Sequence, residues 1–184
     1  MNLPARVKAI LVSPRTEWEV IAAEQTDVAS IYRNYVVILA AIPAVCSLVG
    51  LVIAGFPIFG AVRVSIATYV SALVSPLVAA IVIEKLAPKF RSRGGLAQAL
   101  KMVAYSSTPI WVVGVVNLIP ALLSVGIVAA LYGIYLFYVG LPAVMKTPIE
   151  HVVPFMAVAA LTTIVAGIVL RWISASLGVP SYGF

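Results

Sequence analysis

The chain is written in long apolar stretches without charge. Asp, Glu, Lys and Arg are all absent from residues 34–62, 64–83, 102–145 and 151–170. A membrane-crossing helix needs about 20 mainly apolar residues, because the hydrocarbon core is about 30 Å thick and each helical residue rises about 1.5 Å. The first window therefore predicts one span, residues 35–54, stopped by Gly55-Phe56-Pro57. The second predicts a span over 64–84, and the last a span over 152–172 with Trp172 as an interfacial anchor. The window 102–145 is too long for one crossing and suits two, 100–117 and 120–141, turning at Asn117-Leu118-Ile119-Pro120. Proline is tolerated in the first turn of a helix, and asparagine is a good residue with which to end one. The pattern predicts an all-α polytopic membrane protein with five transmembrane helices over 34–173, preceded by an arm at 1–33 and followed by a short tail at 174–184.

The arm has its own periodicity. Leu3, Val7, Ile10 and Leu11 share a helical face beside Arg6 and Lys8, and Ser13-Pro14 breaks that helix. Thr16 and Glu19 have the spacing of a capping box, with Trp18, Ile21 and Ala22 following on one side. These cues predict two short amphipathic helices lying on the cytoplasmic leaflet. The arm carries Glu17, Glu19, Glu24 and Asp27 and has no apolar core, which is the wrong pattern for a cleaved signal peptide.

Composition strengthens the membrane assignment. Hydrophobic residues make up 63% and charged residues 10% of the 184, against about 45–50% and about 25% in a soluble domain. Such a chain lacks the polar groups to cover its own surface in water. The net charge of +6 lies beside the apolar stretches, where orientation signals and anionic head groups explain it better than nucleic acid does. Arg6, Lys8, Arg15 and Arg33 in the arm, and Lys85, Lys89, Arg91, Arg93 and Lys101 after the second span, place both regions in the cytoplasm. With five crossings Lys146 is also inside, and Arg171 and the C terminus are outside. Cys46, the single cysteine, excludes an internal disulfide and a cysteine-based metal cluster.

Candidate functional residues are sparse. Small residues mark where helices touch in lipid. Ala67, Ser71, Ser75 and Ala79 form one such stripe, Ala129 and Gly133 a second, and Ala159, Thr163 and Gly167 a third. They are candidates for helix-packing seams or an oligomer interface. Arg6, Lys8, Trp18, Lys89, Arg91 and Arg93 are candidate contacts for cytoplasmic lipid or a partner. Ser106, Ser107, Thr108 and Pro109 form a polar break within the third span. Pro43, Pro76, Pro142 and Pro154 each free a backbone carbonyl that a neighbour must satisfy. Glu84, Glu150 and His151 stand at span ends, so no proton relay is legible. One interfacial histidine makes no triad, and no Walker loop, dinucleotide fingerprint or metal-ligand spacing occurs. The expectation is a protein that is not an enzyme and takes no cofactor.

Several segments resemble, in order and spacing, the small bacterial inner-membrane members of the Yip1 family. They are Leu11-Val12-Ser13-Pro14 leading to Trp18 and Ile21, then Ala40-Ala41-Ile42-Pro43 with Cys46 and Gly50. Ala104-Tyr105-Ser106-Ser107-Thr108-Pro109 and the run from Tyr132 through Gly133 and Gly140 to Pro142 complete the set. The resemblance implies five spans and a cytoplasmic N terminus. Eukaryotic relatives act in early secretory traffic and bind small GTPases. Their long N-terminal domain and Asp-Leu-Tyr-Gly-Pro signature do not occur here, so GTPase binding is not implied. The functional expectation is a non-enzymatic scaffold of the bacterial inner membrane that acts through protein or lipid contacts. Membrane lipids, a second copy or another membrane protein are its expected partners. The alternative is a small channel, transporter or lipid-moving protein that uses the Ser106–Thr108 break.

Overall fold

The computed structural model of the chain describes residues 2–118 and 125–176, with side-chain surroundings through Val165 and at Ile168. Every regular element among them is helical. Helix α1 spans Leu3–Val12 and α2 spans Pro14–Ala23. The Asn2 side chain accepts a hydrogen bond from the Ala5 N–H at 3.0 Å, which satisfies one of the donors that a helix start leaves open. Pro14 makes the joint, since it offers no N–H to extend α1 while its fixed φ suits the first position of α2. The expected capping box does not form, because the helix already begins at Pro14. Thr16 lies inside the first turn, donating to the Ser13 carbonyl at 3.0 Å, and Glu19 is exposed.

Helix α3 spans Val28–Ile53 and contains one π-helical turn, Tyr32–Val36. Asp27 precedes it, its carboxyl held below the ordinary carboxylate value chiefly by the Ser30 hydroxyl. Helix α4 spans Ile58–Leu86 and tightens into a 3₁₀ turn at Ala87–Phe90. Helix α5 spans Leu96–Ser106, and α6 spans Thr108–Val113 and runs into a 3₁₀ turn at Gly114–Leu118. Helix α7 spans Val125–Val144 and α8 spans Ile149–Ser176.

Among the described residues, four helical stretches are long and apolar enough to cross a membrane: Val28–Ile53, Ile58–Phe90, Leu96–Leu118 and Val125–Val144. The described apolar part of α8, Ile149–Val165, is shorter. The fold is thus a polytopic helical membrane fold with four such spans, where the charge pattern predicts five. The window 102–145 does fall in two of these stretches, Leu96–Leu118 and Val125–Val144, and Pro120 lies outside the described residues. Their direction follows from the loops at one end. The Arg93 N–H donates to the Met145 carbonyl at 2.6 Å, and the Ser92 and Thr147 hydroxyls bond at 2.9 Å. The chain that leaves this end after α4 therefore returns to it after α7.

Helix α4 packs between α3 and α5, α5 and α6 pack on α7, and α8 lies against α4 and α7. Phe90 stacks on Phe155 at 4.8 Å, fixing α8 to the end of α4. A Cβ on Gly133 would lie 2.8 Å from the Ser106 carbonyl oxygen, so a small residue is what lets α7 reach the α5 backbone. Val45, Val70, Ile127, Leu131 and Leu161 remain exposed on the outside. Apolar exposure on this scale suits lipid contact.

The small-residue stripes are placed unequally. On α4 the buried residues are Ala61, Ser65, Pro76, Ala80 and Ile83. Ala67, Ser71 and Ala79 are half-buried and Ser75 is exposed. A strict four-residue spacing drifts by about 40° per step on a helix of 3.6 residues per turn, so the four residues do not share one buried face, and Ser75 points outward. Ala129, Gly133 and Ala159 are buried, and Thr163 is half-buried with its hydroxyl returned to the Ala159 carbonyl at 2.8 Å. The surroundings of Gly167 lie outside the described residues.

Candidate functional site

The arm does not lie flat across the end of the bundle. Tyr132 donates its hydroxyl to the Leu11 carbonyl at 2.7 Å, an acceptor left open because α1 ends at Val12. Tyr132 precedes the end of α7 at Val144 by about 18 Å of helix, at about 1.5 Å per residue. Trp18 lies against Gly140, where a Cβ would be 2.7 Å from the indole. The α1–α2 hairpin is therefore packed lengthwise along α7, with its turn level with the middle of that helix and Val12 and Ser13 exposed.

A charge cluster holds it there. Arg6, Glu17 and Lys101 are 5%, 7% and 3% exposed. The Arg6 guanidinium donates to the Glu17 carboxylate through Nη1 and to the Glu24 carboxylate through Nη2. It also lies 5.8 Å from the Tyr105 ring centre, within cation–π range. Arginine suits this place because its planar fork serves two acceptors while remaining charged. Lys101 Nζ donates to the Ile21 carbonyl at 3.0 Å and to the Glu24 carbonyl. It thereby closes the C-terminal end of α2, where open carbonyls and the helix dipole favour a cation. Two cations face two carboxylates, and each is occupied. The arrangement is suited to fastening one element to another, and within it no charged group is left over as a base or nucleophile.

An aromatic layer adjoins the charges. Trp18 meets Tyr105 edge to face at 6.2 Å, Tyr35 lies 4.5 Å from Tyr105, and Trp111 lies 6.5 Å from Tyr35. The π turn sets Tyr35 toward α6 and Tyr32 toward α4, where Tyr32 donates to the Leu73 carbonyl at 2.7 Å. Pro109 has no N–H for the Tyr105 carbonyl four residues earlier. Thr108 fills that gap, donating to the Tyr105 carbonyl at 2.7 Å and accepting from the Tyr35 hydroxyl at 2.7 Å. Thr108→Val should leave a buried hydroxyl and a buried carbonyl unpaired, costing about 1–3 kcal/mol. Thermal unfolding in mild detergent should show that loss, with Thr108→Ser retaining most of the wild-type stability.

The polar break thus serves the backbone. Ser107 returns its hydroxyl to the Val103 carbonyl at 2.8 Å, and Ser106 Oγ and Trp18 Nε1 are buried without a partner. Arg6 and Trp18, expected at the lipid or partner surface, are inside the bundle, because the hairpin turns that face onto α5 and α7. Lys8, Lys89, Arg91 and Arg93 are exposed. The last three join Lys85 and Lys146 around the tied loops, forming a basic rim. Glu17, Glu24 and Lys101 were not legible as site residues, since each reads as a solvated arm or loop charge until the arm is folded in. Among the described residues no group of His, Cys, Asp and Glu is placed to hold a metal ion.

Comparison with known proteins agrees with this architecture. The chain is 25% identical over 193 residues to the inner membrane protein YohC of Escherichia coli K12, covering 98% of this chain and 97% of that protein. The YohC protein of an Escherichia coli O6:H1 strain matches to the same extent. No solved structure matches. The Yip1 domain model matches residues 8–171, from the middle of α1 through most of α8. That match takes in α2 and the second half of α1 together with the helices that hold them, and the chain belongs to the Yip1 domain family.

Proposed function

We propose that the protein is a non-enzymatic, multi-pass scaffold of the bacterial cytoplasmic membrane that works through lipid or protein contacts at its basic end. The observation that carries this reading is the division of its charges. Arg6, Glu17, Glu24 and Lys101 are used internally, while Lys85, Lys89, Arg91, Arg93 and Lys146 stay exposed at the tied loops. In this reading the basic rim and the N terminus face the cytoplasm, where positive loops are retained. Helix α8 makes the fifth crossing and carries the C terminus outside. The name of the Escherichia coli relatives supports the location. The outward part of the α4 stripe, at Ser75, is available to a second copy or another membrane protein.

The test is the triple substitution Lys89→Gln, Arg91→Gln, Arg93→Gln, expressed in its native membrane and extracted in mild detergent. The variant should insert with wild-type topology and lose co-purifying lipid or protein partners that the wild type retains. An unchanged set of partners and lipids would refute the scaffold reading of this end.

A further inference from the structure

Resting on the reading of the basic rim as a contact surface, we infer that Arg91 and Lys146 form a seat for the phosphate of an anionic phospholipid. Arg91 and Lys146 are the non-glycine residues with positive φ, 54° and 51°, among those described. L-residues with side chains beyond glycine rarely adopt that conformation, which glycine or asparagine takes more easily. Both left-handed positions nevertheless carry a long basic side chain. They also adjoin each other's loop. Ser92 bonds Thr147, and Arg93 bonds the Met145 backbone, so Arg91 and Lys146 flank one junction on exposed side chains.

The junction is electropositive beyond these two groups. Lys89 and Arg93 are exposed beside it, and α5 and α8 both begin at this end, at Leu96 and Ile149. The Gly95 N–H is taken by Gln98 Oε1 at 3.1 Å with the Glu84 carboxylate alongside, and Glu150 stands in the first turn of α8, so the positive character comes from the exposed side chains. The nearby acids are Glu84, half-buried, and Glu150, exposed. A lipid, in preference to a soluble phosphate, is selected by the apolar face of α8 beyond Lys146. Ile149, Val153, Leu161 and Ile164 on α8 are 65%, 63%, 63% and 58% exposed. With the exposed Ala157 and Ala160 between them, they continue one apolar ridge away from the cations. A phosphate at the loops thus leaves its acyl chains lying along that ridge.

The full-length protein, reconstituted in nanodiscs of phosphatidylcholine with a minor fraction of phosphatidylglycerol, is analysed by native mass spectrometry for retained lipid. The wild type should retain phosphatidylglycerol selectively. Arg91→Gly and Lys146→Gly should each weaken that retention roughly five-fold, at about 1 kcal/mol per interfacial cation. Glycine suits the positive φ, so neither variant should unfold earlier than wild type. Arg91→Asn and Lys146→Asn repeat the test with another residue that tolerates this conformation. Arg33→Gln, an exposed cation on α3, should leave retention unchanged. Glycine and asparagine variants that keep wild-type selectivity would overturn the seat, while the triple substitution decides the rim reading separately. A wild type without head-group preference, or one whose bound lipid inorganic phosphate displaces at equal concentration, would overturn it too.

Discussion

Arg6→Ala is expected to undock the N-terminal hairpin, destabilising the fold by about 3–5 kcal/mol, the usual consequence of removing one partner from a buried ion pair. The side chains of Arg6 and Glu17 are 7% and 9% exposed, so the Glu17 carboxylate would be left in apolar surroundings with little access to water. Glu24, at 35%, is more open, and its share is discounted for screening. Hydrophobic replacement of both buried partners, Arg6→Met with Glu17→Met, should restore most of the loss, because desolvation offsets much of the attraction within such pairs. Thermal unfolding in mild detergent reads the stability, and proteolysis of the segment between α2 and α3 reads the docking. If Arg6→Ala unfolded at the wild-type temperature with that segment still protected, the charge cluster would not be what fastens the hairpin.

Gly140→Leu should displace the same hairpin by a different route. A Cβ there would stand 2.7–2.9 Å from three indole atoms of Trp18. Trp18 is fully buried and also meets Tyr105 edge to face, so the ring has little room in which to yield. Overpacking costs about 1–3 kcal/mol, and losing a buried tryptophan costs about 3–5 kcal/mol. The expected penalty is therefore about 3 kcal/mol, accompanied by increased quenching of Trp18 fluorescence in a background with Trp111 and Trp172 replaced by Phe. The decisive feature is non-additivity. Combining Gly140→Leu with Trp18→Ala should cost less than the sum of the two, because the leucine then enters the space left by the ring. Strictly additive losses would mean that the two residues do not share one contact.

How much was legible in the sequence depends on how local each signal is. The absence of charge over 34–62 and 64–83 matches the membrane-length helices Val28–Ile53 and Ile58–Phe90, because lipid solvates a helix residue by residue. The Ser13-Pro14 joint was legible for the same reason, since the missing N–H acts on the neighbouring turn alone. The stripe Ala67-Ser71-Ser75-Ala79 was less informative, because four-residue spacing says that small residues are near one another and not which way they face. Lys101 was further from reach. In sequence it ends a basic loop, and only its place beside α2 makes it a helix cap.

The chain by itself therefore determined that this is an all-helical membrane protein with a basic end and an arm of two short amphipathic helices broken at Ser13-Pro14. Hydropathy, charge and proline act through the solvent and the adjacent turn, so their consequences are written locally. The tertiary structure alone decided where the arm goes. Arg6 meets Glu17 and Glu24 across the hairpin, Lys101 meets Ile21 from 80 residues away, and Tyr132 meets Leu11 from 121. A charged amphipathic arm satisfies its periodicity equally on a lipid surface or inside a bundle. Partners for its charges, and a glycine at 140 with room for its tryptophan, put it inside.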